Sequence, residues 1–298
     1  MSGFSAIDLT KLAAPDVIEE LDYEVILAQM IDDLKARDPG FDATLESDPV
    51  VKILEVAAYR ETLLRSRVNN ASRAVMLPYA KGSDLDNLAA FFKVKRQIVD
   101  PGDENVIPPI PPVYESDDRL RKRTQLSLEG HSTAGPVGSY IYHTLAASAQ
   151  IKDVDVASPA PGEVVVTVLT QDDDGVPDDE LLEMIYGRLN AKDVRPLTDH
   201  LTLSKPEIIR YHVRALLYLY DGPDAKVVRE LAQEKLNEYV NRHHLLGNDI
   251  TLSGLYAALH REGVQRVELI EPVTDIVVDD NKAALCELTE VLVVGRDE

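Results

Sequence analysis

Asp84 and Asp86 stand two positions apart in GSDLDNLAAFFKVKR, and Asp172, Asp173 and Asp174 run together before Gly175. Clustered carboxylates are the raw material of a divalent-cation site that activates water for hydrolysis. Neither stretch completes a ligand set. The first has no nearby His or third carboxylate, and the second lacks the alternating ligands and terminal Glu of a calcium loop. The seven histidines, His131, His143, His200, His212, His243, His244 and His260, contain no His-x-x-x-His pair. His243 and His244 suit a helix C-terminus, where an imidazolium meets the negative end of the dipole. GPVGSY, at 135–140, has neither the Gly-Lys-Ser/Thr ending of a phosphate loop nor the dinucleotide glycine spacing. Cys286 has no second cysteine to pair with, so no oxidising compartment is implied. It reads as a small apolar side chain in a strand. A metal-dependent enzyme using Asp84 and Asp86, or Asp172–Asp174, is therefore the alternative reading. The favoured one involves no catalytic residue, no metal and no cofactor.

The elements that hold these residues explain them more fully. Ser83 precedes an apolar series and Asp86 follows three residues later, close to a capping box. Asp84 and Asp86 then fall in a first turn, beside the positive end of the helix dipole, while Leu85, Leu88, Ala89 and Phe92 share one face. Upstream, Pro15 and Asp16 open a helical pattern carried by Val17, Ile18, Leu21, Val25, Leu27, Met30, Ile31 and Leu34. A longer pattern begins after a cap at Ser47 or Asp48, with Pro49 in the first turn. From Val50, the positions Leu54, Ala57, Leu64, Val68, Ala71 and Val75 keep an alternating spacing of four and three, broken once at Glu61. That is a heptad seam. The helix is about thirty residues, or ~45 Å, long, and Pro78 and Gly82 end it. A rod with one narrow apolar stripe needs other helices, and the first helix can cover only part of it. Arg60, Arg65, Arg67 and Arg73 give the outer face its charge, either as a solvated ion-paired surface or as contacts to a partner's carboxylates.

Pro108, Pro109, Pro111 and Pro112 bar helix and favour a stiff connection, which sets a domain boundary. Four regions result: a helical region at 1–105, a linker with a helical connection at 106–150, an α+β domain at 151–222, and a C-terminal α+β domain at 223–298. The fold class is α+β, a long-helix region followed by small, mostly antiparallel sheets with helices on one side. In the strand around 212–220, His212, Arg214, Leu216, Tyr218 and Tyr220 alternate with Val213, Ala215, Leu217 and Leu219. The net charge of −21 opposes binding to nucleic acid. The start of the chain does not resemble a signal peptide, and no apolar run reaches the ~20 residues of a membrane helix. Synthesis and folding in a reducing cytoplasm, away from any membrane, are expected.

Five stretches carry a family resemblance: DLTKLAAPDVIEELDYE, LESDPVVKILEVAAYRETLLRSRVNNASRAVMLPYAKGSDLDNLAAFFKVKR, PPIPPVYESDDRLRKR, DVDVASPAPGEVVVTVLT and GNDITLSGLYAALHREGVQRVELIEP. They run over nearly the whole chain. The sequence resembles the baseplate assembly protein J family of contractile phage tails and R-type pyocins. The resemblance implies a structural wedge component of a sixfold baseplate, two copies joining one copy of a smaller partner like tail protein I. It also implies that the N-terminal helices enter a shared bundle touching the sheath initiator, a lysozyme-like wedge protein, and that the C-terminal domains pair between wedges. On this reading the seam from Val50 to Val75 is the bundle interface. Leu255, Tyr256, Leu259, Val264, Val267 and Leu269, in LYAALHREGVQRVELI, then meet a second copy of the chain.

Overall fold

The computed structural model describes residues 7, 9, 12, 13, 15, 17–41, 48–132, 135–191, 194–222 and 224–296. They divide into two compact units: the chain up to Arg96 with Ser116–Thr124, and Gln97–Glu115 with the chain from Gln125 onward.

The first unit is helical. α1 (Tyr23–Arg37) starts at Asp22, whose carboxylate accepts from the Glu24 and Val25 N–H groups. This cap places the helix start well after Pro15; residues 17–22 form a turn and an extended run. Asp16 and Ser47 lie outside the described residues. α2 (Pro49–Ala74) begins as its sequence predicts, with Asp48 accepting from Val50 N–H and Pro49 in the first turn. Its 26 residues give a rod of about 39 Å. α1 packs on α2, which buries Val51, Ala58 and Asn69. Asn69 belongs on no apolar stripe, and its amide bonds the backbone of one distant residue. Its Oδ1 accepts from Glu19 N–H at 3.2 Å, and its Nδ2 donates to the Glu19 carbonyl at 2.8 Å. α3 (Gly82–Phe91) and α4 (Asp117–Leu126) follow.

The second unit opens with an arm. β1 (Ile98–Asp100) and β2 (Val113–Tyr114) pair antiparallel. Further out, Asp103 and Ile110 exchange both backbone bonds, at 3.0 and 2.9 Å. The Pro-rich segment is thus a folded-back arm rather than an extended linker. Gly102 permits this: its φ is +68°, and a Cβ there would lie 2.3 Å from the Ile110 carbonyl oxygen. The boundary expected at 105/106 gives way to a chain that leaves the helical unit after Arg96, returns for Ser116–Thr124, and leaves again.

Two small layers complete this unit. α5 (Val137–Ala147), β3 (Ile151–Ala157), β4 (Glu163–Thr170), α6 (Asp179–Leu189) and β5 (His200–Ser204) form the first, with strand order β3-β4-β5. Ile151, Val166, Ile185 and Leu189 sit in its core. β6 (Glu207–Leu219), α7 (Ala225–His243), α8 (Leu252–Leu259), β7 (Val264–Glu271) and β8 (Lys282–Arg296) form the second, with order β7-β6-β8. Val213, Ala215, Leu217 and Leu219 of β6 meet α7 and α8 in the core. Arg210, His212, Arg214, Leu216 and Tyr218 lie on the opposite face, the alternation the sequence predicts.

The fold is α+β, with two differences from expectation. Each three-stranded sheet is mixed: β3–β4 and β6–β7 are antiparallel, β4–β5 and β6–β8 parallel. Helical connections bring strands back in the same direction, which a hairpin cannot do. The last layer also begins at β6 rather than at residue 223, because β6 pairs only with β7 and β8. Lys205 and Pro206 break the run between β5 and β6. No helix among the described residues is long and apolar enough to cross a membrane.

Candidate functional site

The Asp84/Asp86 stretch resolves into a structural clamp. Asp86 Oδ1 accepts from Arg96 Nε at 2.7 Å, and Arg96 Nη2 donates to Asp117 Oδ1 at 2.7 Å. The other Asp117 oxygen accepts from Gly82 N–H at 3.1 Å. Burial works to raise the Asp117 carboxyl; the Gly82 N–H and the Arg96 guanidinium outweigh it and hold the group below the usual carboxylate range. Arg121 reinforces the corner by donating to the Leu77 and Ala80 carbonyls, both at 2.8 Å. The expected capping box is not made. Lys81 is the N-cap of α3, with no side-chain cap bond, so Ser83 falls inside the first turn, and Asp86 bonds Arg96. Asp84 lines a separate groove, described below.

Asp172–Asp174 form a tight turn. Asp173 has φ +51° and Gly175 φ +87°, and Thr170 N–H donates to the Gly175 carbonyl at 2.8 Å. Asp174 accepts from Val176 N–H at 3.2 Å and pairs with Arg210 at 2.7 Å. Among the described residues, no three His, Cys, Asp or Glu side chains come together as a metal site requires. His243 ends α7, its Nδ1 2.8 Å from the Tyr239 carbonyl. His244 departs from the imidazolium expected there. It is buried, and burial pushes its pKa down, which favours the neutral ring. Cys286 lies in β8 with its thiol pushed up by burial, an inert position.

The seam lies open on the helical unit. Leu64 is 66 % exposed, Val68 59 % and Val75 68 %, and Val50 and Ala71 are also exposed. Leu54 and Ala57 are partly covered. The buried face of α2 carries Val51 and Ala58, each one residue from a seam position, which is about 100° round the helix. α1 therefore leaves the seam to one side. Leu63, Leu64, Ala71 and Ala74 floor a groove of about 680 Å³ between α2 and α3, with Arg60 and Arg67 on its rim. Arg65 pairs with Glu61 and with Glu19 at 3.2 Å, so it belongs to the ion-paired surface.

The baseplate J-like N-terminal domain matches residues 46–103, and the baseplate J-like central domain matches residues 132–205. Baseplate protein J of Escherichia phage P2 is 46 % identical over 299 residues, covering 98 % of this chain and 99 % of that protein. The chain belongs to the baseplate J-like family. A cryo-EM structure of the anti-feeding prophage (AFP) baseplate, 6-fold symmetrised, is similar at 18 % identity and a TM-score of 0.45, over 61 % of this chain and 44 % of that one.

The baseplate J-like central match ends between β5 and β6, where the sheets themselves divide. The six residues expected at a C-terminal interface fare differently. Leu255 and Leu259 are 0 % exposed and Val264 is buried, all in the core under β6. Val267 and Leu269 pack against that core, and Tyr256 alone is exposed. The helix-and-strand pattern that suggested a partner surface is the inner face of this baseplate J-like chain. Sequence reasoning also missed Arg96 and Asn69, whose partners lie far along the chain and leave no local pattern.

Proposed function

We propose that this baseplate J-like chain is a structural wedge component of a contractile-tail baseplate, in a phage or a pyocin, and that it catalyses no reaction. The seam on α2 takes helices from neighbouring subunits. These are a smaller wedge partner like tail protein I, and a second copy of the chain, with the bundle meeting the sheath initiator. Assembly takes place in the cytoplasm of the bacterial host, without cofactor, membrane or nucleic acid.

The supporting observation is the exposure of Leu64, Val68 and Val75 along one stripe of a 26-residue helix. Aliphatic side chains in heptad register, left open on a long helix, are the surface that a bundle fills. Arg60 and Arg67 at the rim add a site for a partner's carboxylates.

Co-expression of the chain with its wedge partner tests this. The wild-type pair is expected to co-purify as a defined complex. Leu64→Asp places a charge on the seam without disturbing a core, and is expected to abolish the complex while leaving the melting temperature of the free chain unchanged. Normal complex formation by the variant contradicts the assignment.

A further inference from the structure

β8 is an edge strand, bonded to β6 on one side only. Its first residues are covered on the other side. Gly247 N–H donates to the Lys282 carbonyl at 3.0 Å, and His244 Nδ1 donates to the Ala284 carbonyl at 2.9 Å. These bonds fix the parity: Lys282 and Ala284 present their backbone groups outward. The register then slips at Glu287, since Tyr211 faces Cys286 and His212 faces Leu288. A bulge of one residue shifts parity by one, so Thr289, Val291 and Val293 point outward beyond it. Gln233 Nε2 reaches the Thr289 carbonyl at 3.5 Å. Among the described residues, nothing bonds the outward backbone groups of Val291 and Val293.

Soluble proteins guard such an edge with Lys, Pro or an unmatched charge. From Ala283 to Gly295 this strand has no Lys, no Pro and no Arg. Its two central acids are already matched within the chain. Glu287 pairs with Arg210 at 2.8 Å, and Glu290 with Arg214 at 3.2 Å. What remains exposed is aliphatic: Leu288, Leu292 and Val294. A chain of net charge −21 repels its own copies in general, but here the acids are neutralised and the backbone is open.

We infer that the free edge of β8 is a strand-addition surface whose occupant is β8 of a second copy, paired antiparallel about a two-fold axis. The inference rests on the reading that the C-terminal layer pairs with itself, and it moves that contact from the buried Leu255 and Leu259 to the strand edge. A two-fold axis sets residue i against j and j against i. The open backbone groups bond each other, Leu288 and Leu292 of both copies line one face, and no unmatched acids meet. Two three-stranded sheets become one of six strands.

Amide exchange followed by NMR across micromolar to millimolar chain concentration, alongside sedimentation, tests the inference. The Val291 and Val293 amides are expected to slow roughly tenfold or more as the mass doubles, which is about 1.4 kcal/mol of added protection. The Glu290 and Leu292 amides, which face β6, stay protected throughout. The double variant Leu292→Lys with Val294→Lys, both half-exposed sites, is expected to remain folded and single. A doubled mass with fast-exchanging Val291 and Val293 overturns the edge contact and leaves self-pairing intact. A chain that stays single at millimolar concentration overturns both. Protection that appears only when a different protein is added overturns the second copy as occupant.

Discussion

Arg96 bonds Asp86 on α3 and Asp117 on α4, so one of the two aspartates that could have held a metal instead ties two helices together. At the scale of single residues, burial decides such cases. His244 shows it in the opposite direction. Its Nδ1 donates to Ala284, and its Nε2 is buried without a hydrogen-bond partner, against Gly175. The charged groups facing it are Lys152 on β3 and Asp174 in the turn after β4. Burial lowers its pKa, the Ala284 bond opposes this, and Lys152 lowers it further. The folded chain therefore resists a proton that the unfolded chain takes up below about pH 6.5. Stability is expected to fall as pH drops from about 6.5 towards the depressed folded value, with a slope of up to about 1.4 kcal/mol per pH unit. Denaturant titrations between about pH 7 and pH 5 measure it. His244→Gln should flatten that slope, and equal slopes in the two proteins would contradict the account. The types of these residues were readable from sequence, but their roles were not. Asp86 finds Arg96 and Asn69 finds Glu19 only once the chain has folded back, and no local spacing encodes that.

At the scale of elements, periodicity succeeded where a pattern is local and failed where pairing is distant. The start of α2 and its seam follow from the Asp48 cap, Pro49 and the heptad spacing. The alternation along β6 was equally plain. Its membership of the last sheet was not, because β8 lies more than sixty residues further along. The prolines at 108–112 correctly barred helix, but they gave no sign that Gly102 would fold the segment back on itself. In α8 and β7 the apolar pattern was read properly and given the wrong partner: the chain covers that face itself. Leu255→Ala is therefore expected to cost the isolated chain about 2–5 kcal/mol by leaving a core cavity. Tyr256→Ala, on the exposed side of the same helix, should cost within about 0.5 kcal/mol. Melting curves of the two variants separate the roles, and equal losses would put both residues on one surface.

At the scale of the whole molecule, the chain combines an α+β unit with its own cores and a helical unit whose apolar stripe stays open. A net charge of −21 sets copies of such a chain against each other while that stripe is exposed. Membership of the baseplate J-like family gives that cover a setting, an assembly of tail subunits. The proposed wedge role requires the stripe to be open in the free chain and closed in the wedge. Thiol labelling of Leu64→Cys, in a Cys286→Ser background, measures this directly. The account predicts labelling of the free chain as fast as that of an unstructured thiol, and at least roughly tenfold slower labelling after co-assembly with the wedge partner. Slow labelling of the isolated chain, or equal rates before and after assembly, would contradict it.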